Sequence, residues 1–250
     1  MTNKVALFAT CLVDLFRPSV AHAAIKLLQQ AGCDVVVPPA QTCCGQPAYN
    51  NGDRKNARLL ACQVINEFSG YDYVVLPSGS CGGMIKCHYP QLLHDDPQYH
   101  EKSLQLASRC YELTAFLVDV AGYSPNGLAF NKRVTYHDSC SCLRELKIQH
   151  QPRSLLQAVN NLSLTEMQGT EECCGFGGTF CVKYDELSTV MVDNKVDSIA
   201  ETGAEVLLAA DMGCLMNIAG RLKRRNMAVN VYHIAEVLAG IINDDGIGGN

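Results

Sequence analysis

Residues 43–48 read Cys-Cys-Gly-Gln-Pro-Ala, and residues 173–180 read Cys-Cys-Gly-Phe-Gly-Gly-Thr-Phe. Each Cys-Cys-Gly has one cysteine upstream and one downstream: Cys11 and Cys81 around the first, Cys140 and Cys214 around the second. Equivalent cysteines lie 129 (Cys11, Cys140), 130 (Cys43, Cys173) and 133 (Cys81, Cys214) residues apart. Thiols that merely fill a core have no reason to keep such a register. The chain therefore reads as one unit of about 120 residues written twice. Each copy offers four soft ligands, a set that points to metal and above all to iron–sulfur.

The segments between the cysteines repeat in kind. Val5-Ala6-Leu7-Phe8 predicts a short strand that delivers Cys11. Pro18 opens a helix with Val20, Ala23, Ala24, Leu27, Leu28 and Ala31 on one face, and Gly32 stops it. Val35-Val36-Val37 leads to Cys43. A helix from near Asp53 carries Ala57, Leu60, Ala61, Val64, Ile65 and Phe68, and Tyr73-Val74-Val75-Leu76 leads to the glycine-rich turn around Cys81. A helix over about 101–121 is expected to close the first module. The second half follows with Arg133-Val134-Thr135-Tyr136 before Cys140, a helix through Thr189–Ala200, Val206-Leu207-Leu208-Ala209 before Cys214, and a helix over Met212–Arg224. Continuous apolar strands alternating with helices predict an α/β fold of two tandem modules with parallel strands, 1–126 and 127–250. In such folds ligands gather beyond the carboxyl ends of strands.

Composition narrows the class. At 250 residues, with 48% hydrophobic and 18% charged side chains, two modest cores can form, and the low charge hints at a surface covered by a partner. A net charge of −5 gives no reason to expect nucleic acid. The basic run Lys223-Arg224-Arg225 reads as a solvated helix end. No stretch approaches the roughly 18 apolar residues of a membrane span. The apolar N-terminus lacks a small-residue cleavage site, so it is not read as a signal peptide. Fourteen cysteines beside long apolar helices fit reduced thiolate ligands better than a disulfide scaffold.

A cysteine on a turn entering a helix is stabilised as thiolate by the helix dipole. Gly45 and Gly175 allow adjacent thiols to converge, and the glycines at 79, 82, 83, 177 and 178 are expected to bring N–H groups to the sulfurs. Zinc is the rival metal, since four thiolates also make a closed tetrahedral site, although neither half has the close Cys-x-x-Cys pair structural zinc favours. Phe176-Gly177-Gly178-Thr179-Phe180 lacks the spacing of a phosphate loop and is read as a sulfur-cradling turn.

These motifs, with Ser78-Gly79-Ser80-Cys81, Tyr136-His137-Asp138-Ser139-Cys140 and Tyr232-His233-Ile234-Ala235-Glu236-Val237-Leu238, resemble the cysteine-rich CCG domains of heterodisulfide reductases and of glycolate oxidase iron–sulfur subunits. Over nearly the whole chain the pattern is most similar to the lactate utilization protein A group. The resemblance implies an electron-transfer subunit of a bacterial L-lactate dehydrogenase complex with two larger subunits, one of them a ferredoxin-like iron–sulfur protein. It would meet lactate only through the complex, in the cytoplasm and peripheral to the inner membrane through its partners. It implies up to one cluster per module, of the [4Fe-4S] kind. Cys11, Cys43, Cys44 and Cys81 would hold one, and Cys140, Cys173, Cys174 and Cys214 the other. The longer family motif ends in Cys-x-x-Cys, but here Ser78 and Asp211 occupy its first position. That departure weighs against a disulfide-reducing centre, which remains an alternative beside a zinc-stabilised assembly module.

Among the other cysteines, Cys33, Cys62 and Cys110 read as core, while Cys87, Cys142 and Cys181 have no cysteine at the equivalent repeat position. His137 is read as a structural contact near Cys140, with a hydrogen bond to a cluster or a proton shuttle as the sharper alternative. His233 is expected to order a strand-to-helix turn, and Asp211 to cap a turn or helix.

Overall fold

The structure, a computed structural model, describes residues 3–242 and 246–249. It is α/β. β1 (Lys4–Leu7), β2 (Asp34–Val36), β3 (Tyr73–Leu76) and β4 (Cys110–Glu112) form one sheet in the order β2-β1-β3-β4. β5 (Ala129–Tyr136), β6 (Asn160–Leu164), β7 (Val206–Ala209) and β8 (Asn230–His233) form a second, in the order β6-β5-β7-β8. Every pairing is parallel. The second order is the first shifted by four strands, so the duplication in the cysteines is a duplication of topology. In each sheet the chain changes direction of travel beside its first strand, which creates the crevice where α/β folds bind ligands.

The helices follow the apolar stripes. Pro18–Gln30 buries Val20, Ala23, Ala24, Leu27 and Leu28. Arg54–Glu67 buries Ala57, Ala61, Val64 and Ile65, and the Asp53 carboxylate caps it by accepting from the Asn56 N–H at 3.2 Å. Asp185–Glu201 and Met212–Arg224 cover the second sheet. At the end of the latter, Arg225 pairs with Asp193 and Asp197 at 3.3 and 2.7 Å.

Two expectations need correction. The helix over 101–121 is interrupted: His100–Ser108 is followed by β4 and then by helical turns at Leu113–Ala115 and Phe116–Val120. Pairing of Cys110, Tyr111 and Glu112 with Val74, Val75 and Leu76 outweighs local helix preference. The buried Glu112 carboxylate then restarts the helix by accepting from the N–H groups of Thr114 and Ala115 at 2.8 and 3.2 Å.

Nor does each half keep a core to itself. Strand alternation sends Val5, Leu7 and Val75 of the first half into one apolar cluster with Val134, Tyr136, Val206 and Leu208 of the second. The opposite faces form separate clusters, around Ala6, Val74 and Leu76 in one half and Leu207 and Ala209 in the other. Helix Pro18–Gln30 crosses onto Ile234–Leu238 of the other half. There the buried Glu236 accepts from Arg17 Nε at 2.8 Å and Ser19 Oγ at 2.7 Å, and Lys26 Nζ donates to the Ala239 carbonyl at 2.7 Å. The reciprocal contact joins helix His150–Gln157 to the first half, with Gln151 Nε2 donating to Asp119 at 2.8 Å.

Candidate metal centres

In the first half, three strand ends bring the predicted thiols together. Cys11 begins a short helix after β1, Cys43 and Cys44 lie on the loop after β2, and Cys81 sits in the helical turn Gly79–Gly83 after β3. Cys11 Sγ and Cys43 Sγ are 4.0 Å apart. Gly45, at φ 82°, swings the chain so that its own N–H donates to Cys43 Sγ at 3.5 Å. The Tyr89 hydroxyl fixes the loop from behind by donating to the Cys44 carbonyl at 2.7 Å. A cavity of about 250 Å³ opens onto Cys11, Cys43, Cys44 and Cys81.

The second half repeats the arrangement after β5, β6 and β7 with Cys140, Cys173, Cys174 and Cys214. Gly175, at φ 81°, donates its N–H to Cys173 Sγ at 3.4 Å. Asn217 Nδ2 takes the place of Tyr89 and donates to the Cys174 carbonyl at 2.8 Å.

The protons are distributed alike in both. Hydrogen bonds from Cys11 and Cys44, and the Gly45 N–H, pull Cys43 well below the ordinary thiol range. Donation to Cys43, together with burial, pushes Cys11 up, and Cys44 is raised by its bonds to Cys43 and Cys81. In the second half Cys173 is lowered by Cys140 and Cys174, while Cys140 and Cys174 rise. Each set thus holds one thiolate fed by neighbouring thiols, and a cation entering either would release the remaining protons. Convergent thiols with backbone N–H groups on their sulfur are the donor chemistry an iron–sulfur cluster needs.

Ser78 and Asp211, which stand where the longer motif has cysteine, are joined across the two halves. Asp211 Oδ1 caps its helix by accepting from the Gly213 N–H at 3.1 Å, and Oδ2 accepts from the Ser80 N–H at 2.8 Å and the Ser78 hydroxyl at 3.2 Å. Ser78 Oγ in turn accepts from the Cys81 N–H at 3.3 Å.

Several glycines serve a different end from the one expected. A Cβ at Gly79 or Gly83 would overlap Cys142 or Glu145, and one at Gly82 would stand 3.0 Å from Leu146, so these three allow the second half to approach the Cys81 turn. The loop read as sulfur-cradling reaches the opposite site: Phe176, Gly178 and Thr179 line the cavity of the first half's cysteines, and Thr179 Oγ1 bonds Asn51 at 3.2 Å.

Of the remaining cysteines, Cys110 and Cys142 are buried, Cys33 and Cys62 pack at core edges, and Cys87 and Cys181 face carbonyls of Glu145 and Gly178 at 3.9 and 3.2 Å. His233 caps Ile234–Leu238, its Nδ1 accepting from the Ala235 N–H at 3.2 Å while Nε2 donates to the Pro77 carbonyl at 3.2 Å.

His137 differs from the structural contact expected of it. It is fully buried, neither ring nitrogen has a hydrogen-bond partner among the described residues, and one nitrogen lies with Cys174 Sγ and Cys214 Sγ in a group whose ligand atoms are all within 4.8 Å of one another. Burial, and then the nearby Lys195 cation, hold its pKa down to about 3, so the ring is neutral. The repeat carried a signal for this residue: the position three before the first cysteine is Phe8 in one copy and His137 in the other.

The CCG cysteine-rich domain model matches the chain twice, over residues 5–86 and 134–219. Lactate utilization protein A of Bacillus subtilis (strain 168) is 49% identical over 235 residues, covering 94% of this chain and 98% of that protein. Lactate utilization protein A of Geobacillus kaustophilus (strain HTA426) is 48% identical with the same coverage. Lactate utilization protein A 2 of Bacillus cereus (strain 03BB102) is 45% identical over 240 residues, 96% of this chain and 99% of that one. Among solved structures, a hypothetical protein from Helicobacter pylori superposes with a TM-score of 0.69 at 11% identity, over 97% of this chain and 49% of that one, a likeness of fold alone.

Proposed function

We propose, from the premise that this chain belongs to the CCG cysteine-rich domain family, that it is the iron–sulfur electron-transfer subunit of a complex oxidising L-lactate to pyruvate. The observation that carries this reading is the pair of convergent four-thiol sets at equivalent strand ends. Cys11, Cys43, Cys44 and Cys81 would hold one cluster of the [4Fe-4S] kind, and Cys140, Cys173, Cys174 and Cys214 the other, in modules 1–126 and 127–250. When bound, such a cluster supplies one-electron redox capacity. The chain itself keeps Cys43 and Cys173 deprotonated, holds each Cys-Cys pair convergent over a left-handed glycine, and limits water at the buried sulfurs of Cys44, Cys81, Cys174 and Cys214.

Relatives carrying the name lactate utilization protein A supply the substrate class. Two larger subunits, one of them ferredoxin-like, would bring lactate and the onward acceptor. Exposed apolar side chains next to the cysteine motifs give such partners a surface: Leu15 and Phe16 after Cys11, and Val182, Tyr184, Leu187 and Val190 after Cys174. No helix among the described residues is long and apolar enough to cross a membrane, which suits a cytoplasmic subunit held at the inner membrane through its partners. Ser78 and Asp211 are spent on capping and on each other, which argues against a five-thiolate, disulfide-reducing centre.

The test is anaerobic co-purification with the two larger subunits, followed by L-lactate addition under EPR. Reduction of signals that vanish when this chain is omitted is the expected result. Lactate oxidation that proceeds unchanged without this chain would contradict the role.

A further inference from the structure

The two halves share their four cysteines and the left-handed glycine after each pair, and they differ beneath them. Three residues before its first cysteine, the first half has Phe8, buried and packed edge-on against Phe68 at 5.2 Å. The second half has His137 at that place. A second exchange accompanies it. Gly45 faces Ala57 and Leu60, and Gly175 faces Ser188 and Met191, which aligns the two helices. Seven residues beyond Ala57 stands Val64, and seven beyond Ser188 stands Lys195. An apolar pair has become an imidazole and an ammonium, both buried.

Lys195 is accounted for, since Nζ donates to the Gly169 carbonyl. His137 is not. Among the described residues neither Nδ1 nor Nε2 has a partner although the side chain is fully buried, a costly state unless something else takes the lone pair. The ring lies against Cys174 and Cys214, its ligand nitrogen within 4.8 Å of both sulfurs.

We infer that His137 is a fifth metal donor, so that the two sites hold unlike centres: thiolates alone in the first half, thiolates with one imidazole in the second. Neutral imidazole adds no negative charge to the centre. A thiolate at the same place would add negative charge and lower the potential of the second site. Asp211 does not compete for this role, because its carboxylate is already engaged by Gly213, Ser80 and Ser78.

The inference rests on the iron–sulfur reading, and the test separates the two. The full chain, labelled with 15N-histidine and purified anaerobically, is assayed for iron and sulfide and then examined, reduced, by pulsed EPR. A strongly coupled histidine nitrogen is expected in the wild type. It should vanish in His137→Phe, which copies the first half, and in His137→Cys, which should keep its iron and shift the second site to a more negative potential. Iron and sulfide without a strongly coupled histidine nitrogen in the wild type would overturn the inference and leave the iron–sulfur reading standing. Absence of iron and sulfide would overturn that reading and the inference with it.

Discussion

Asp211 shows how much one buried side chain can hold. Its carboxylate caps helix Met212–Arg224 and also accepts from Ser80 and Ser78, more than 130 residues away in sequence. Asp211→Ala removes a cap worth about 1 kcal/mol and leaves a half-buried N–H of the other half without its acceptor. The expected loss is about 2–3 kcal/mol in urea denaturation, with Asp211→Asn losing less; a change within about 0.5 kcal/mol would show the bridge to be idle. The capping role was legible, because aspartate before a helical stripe is a start signal. The cross-half partner was not, since no local pattern encodes contact over that separation. His137 was legible only as a histidine near Cys140. Its lack of partners is a property of the packed interior that a linear pattern does not carry.

Elements were legible where a stripe was long and obscure where a strand was short. Helices Pro18–Gln30 and Arg54–Glu67 match their apolar periodicity, whereas β4 is three residues inside what reads as one helix. The repeat held the clue, since β8 and its His233 cap answer β4 and its Glu112 cap.

That cap also makes a pH prediction. Burial holds the His233 pKa down to about 4, below its unfolded value of 6.5. The unfolded chain therefore binds the proton first as pH falls, and the stability His233 contributes above pH 6.5 is lost on the way down to pH 4, by up to about 3 kcal/mol. Glu112, raised by burial to about 7, works in the opposite sense, losing its contribution as pH rises through 7. The difference between wild type and His233→Asn is thus the quantity to follow, in urea titrations at pH 7 and pH 4.5. The wild-type advantage should shrink at the lower pH, and a constant difference would refute the assignment.

At the scale of the molecule, the halves are related by repetition but are not independent. The shared cluster, the reciprocal helix exchange and the Asp211 bridge all cross between them. Unfolding should therefore be a single transition. Glu236→Ala, which deprives Arg17 and Ser19 of a buried acceptor, should lower stability by about 3 kcal/mol without splitting that transition. Fragments 1–126 and 127–250 should fold together when mixed and not apart, as judged by near-UV circular dichroism. Two resolved transitions would contradict this.

The most direct measurement of the central claim is the iron, sulfide and zinc content of the anaerobically purified chain beside its Cys43→Ser and Cys173→Ser variants. Iron with matching sulfide in the wild type, reduced by about half in each variant, is the predicted result. Stoichiometric zinc without iron or sulfide, or iron unchanged by either substitution, would contradict it.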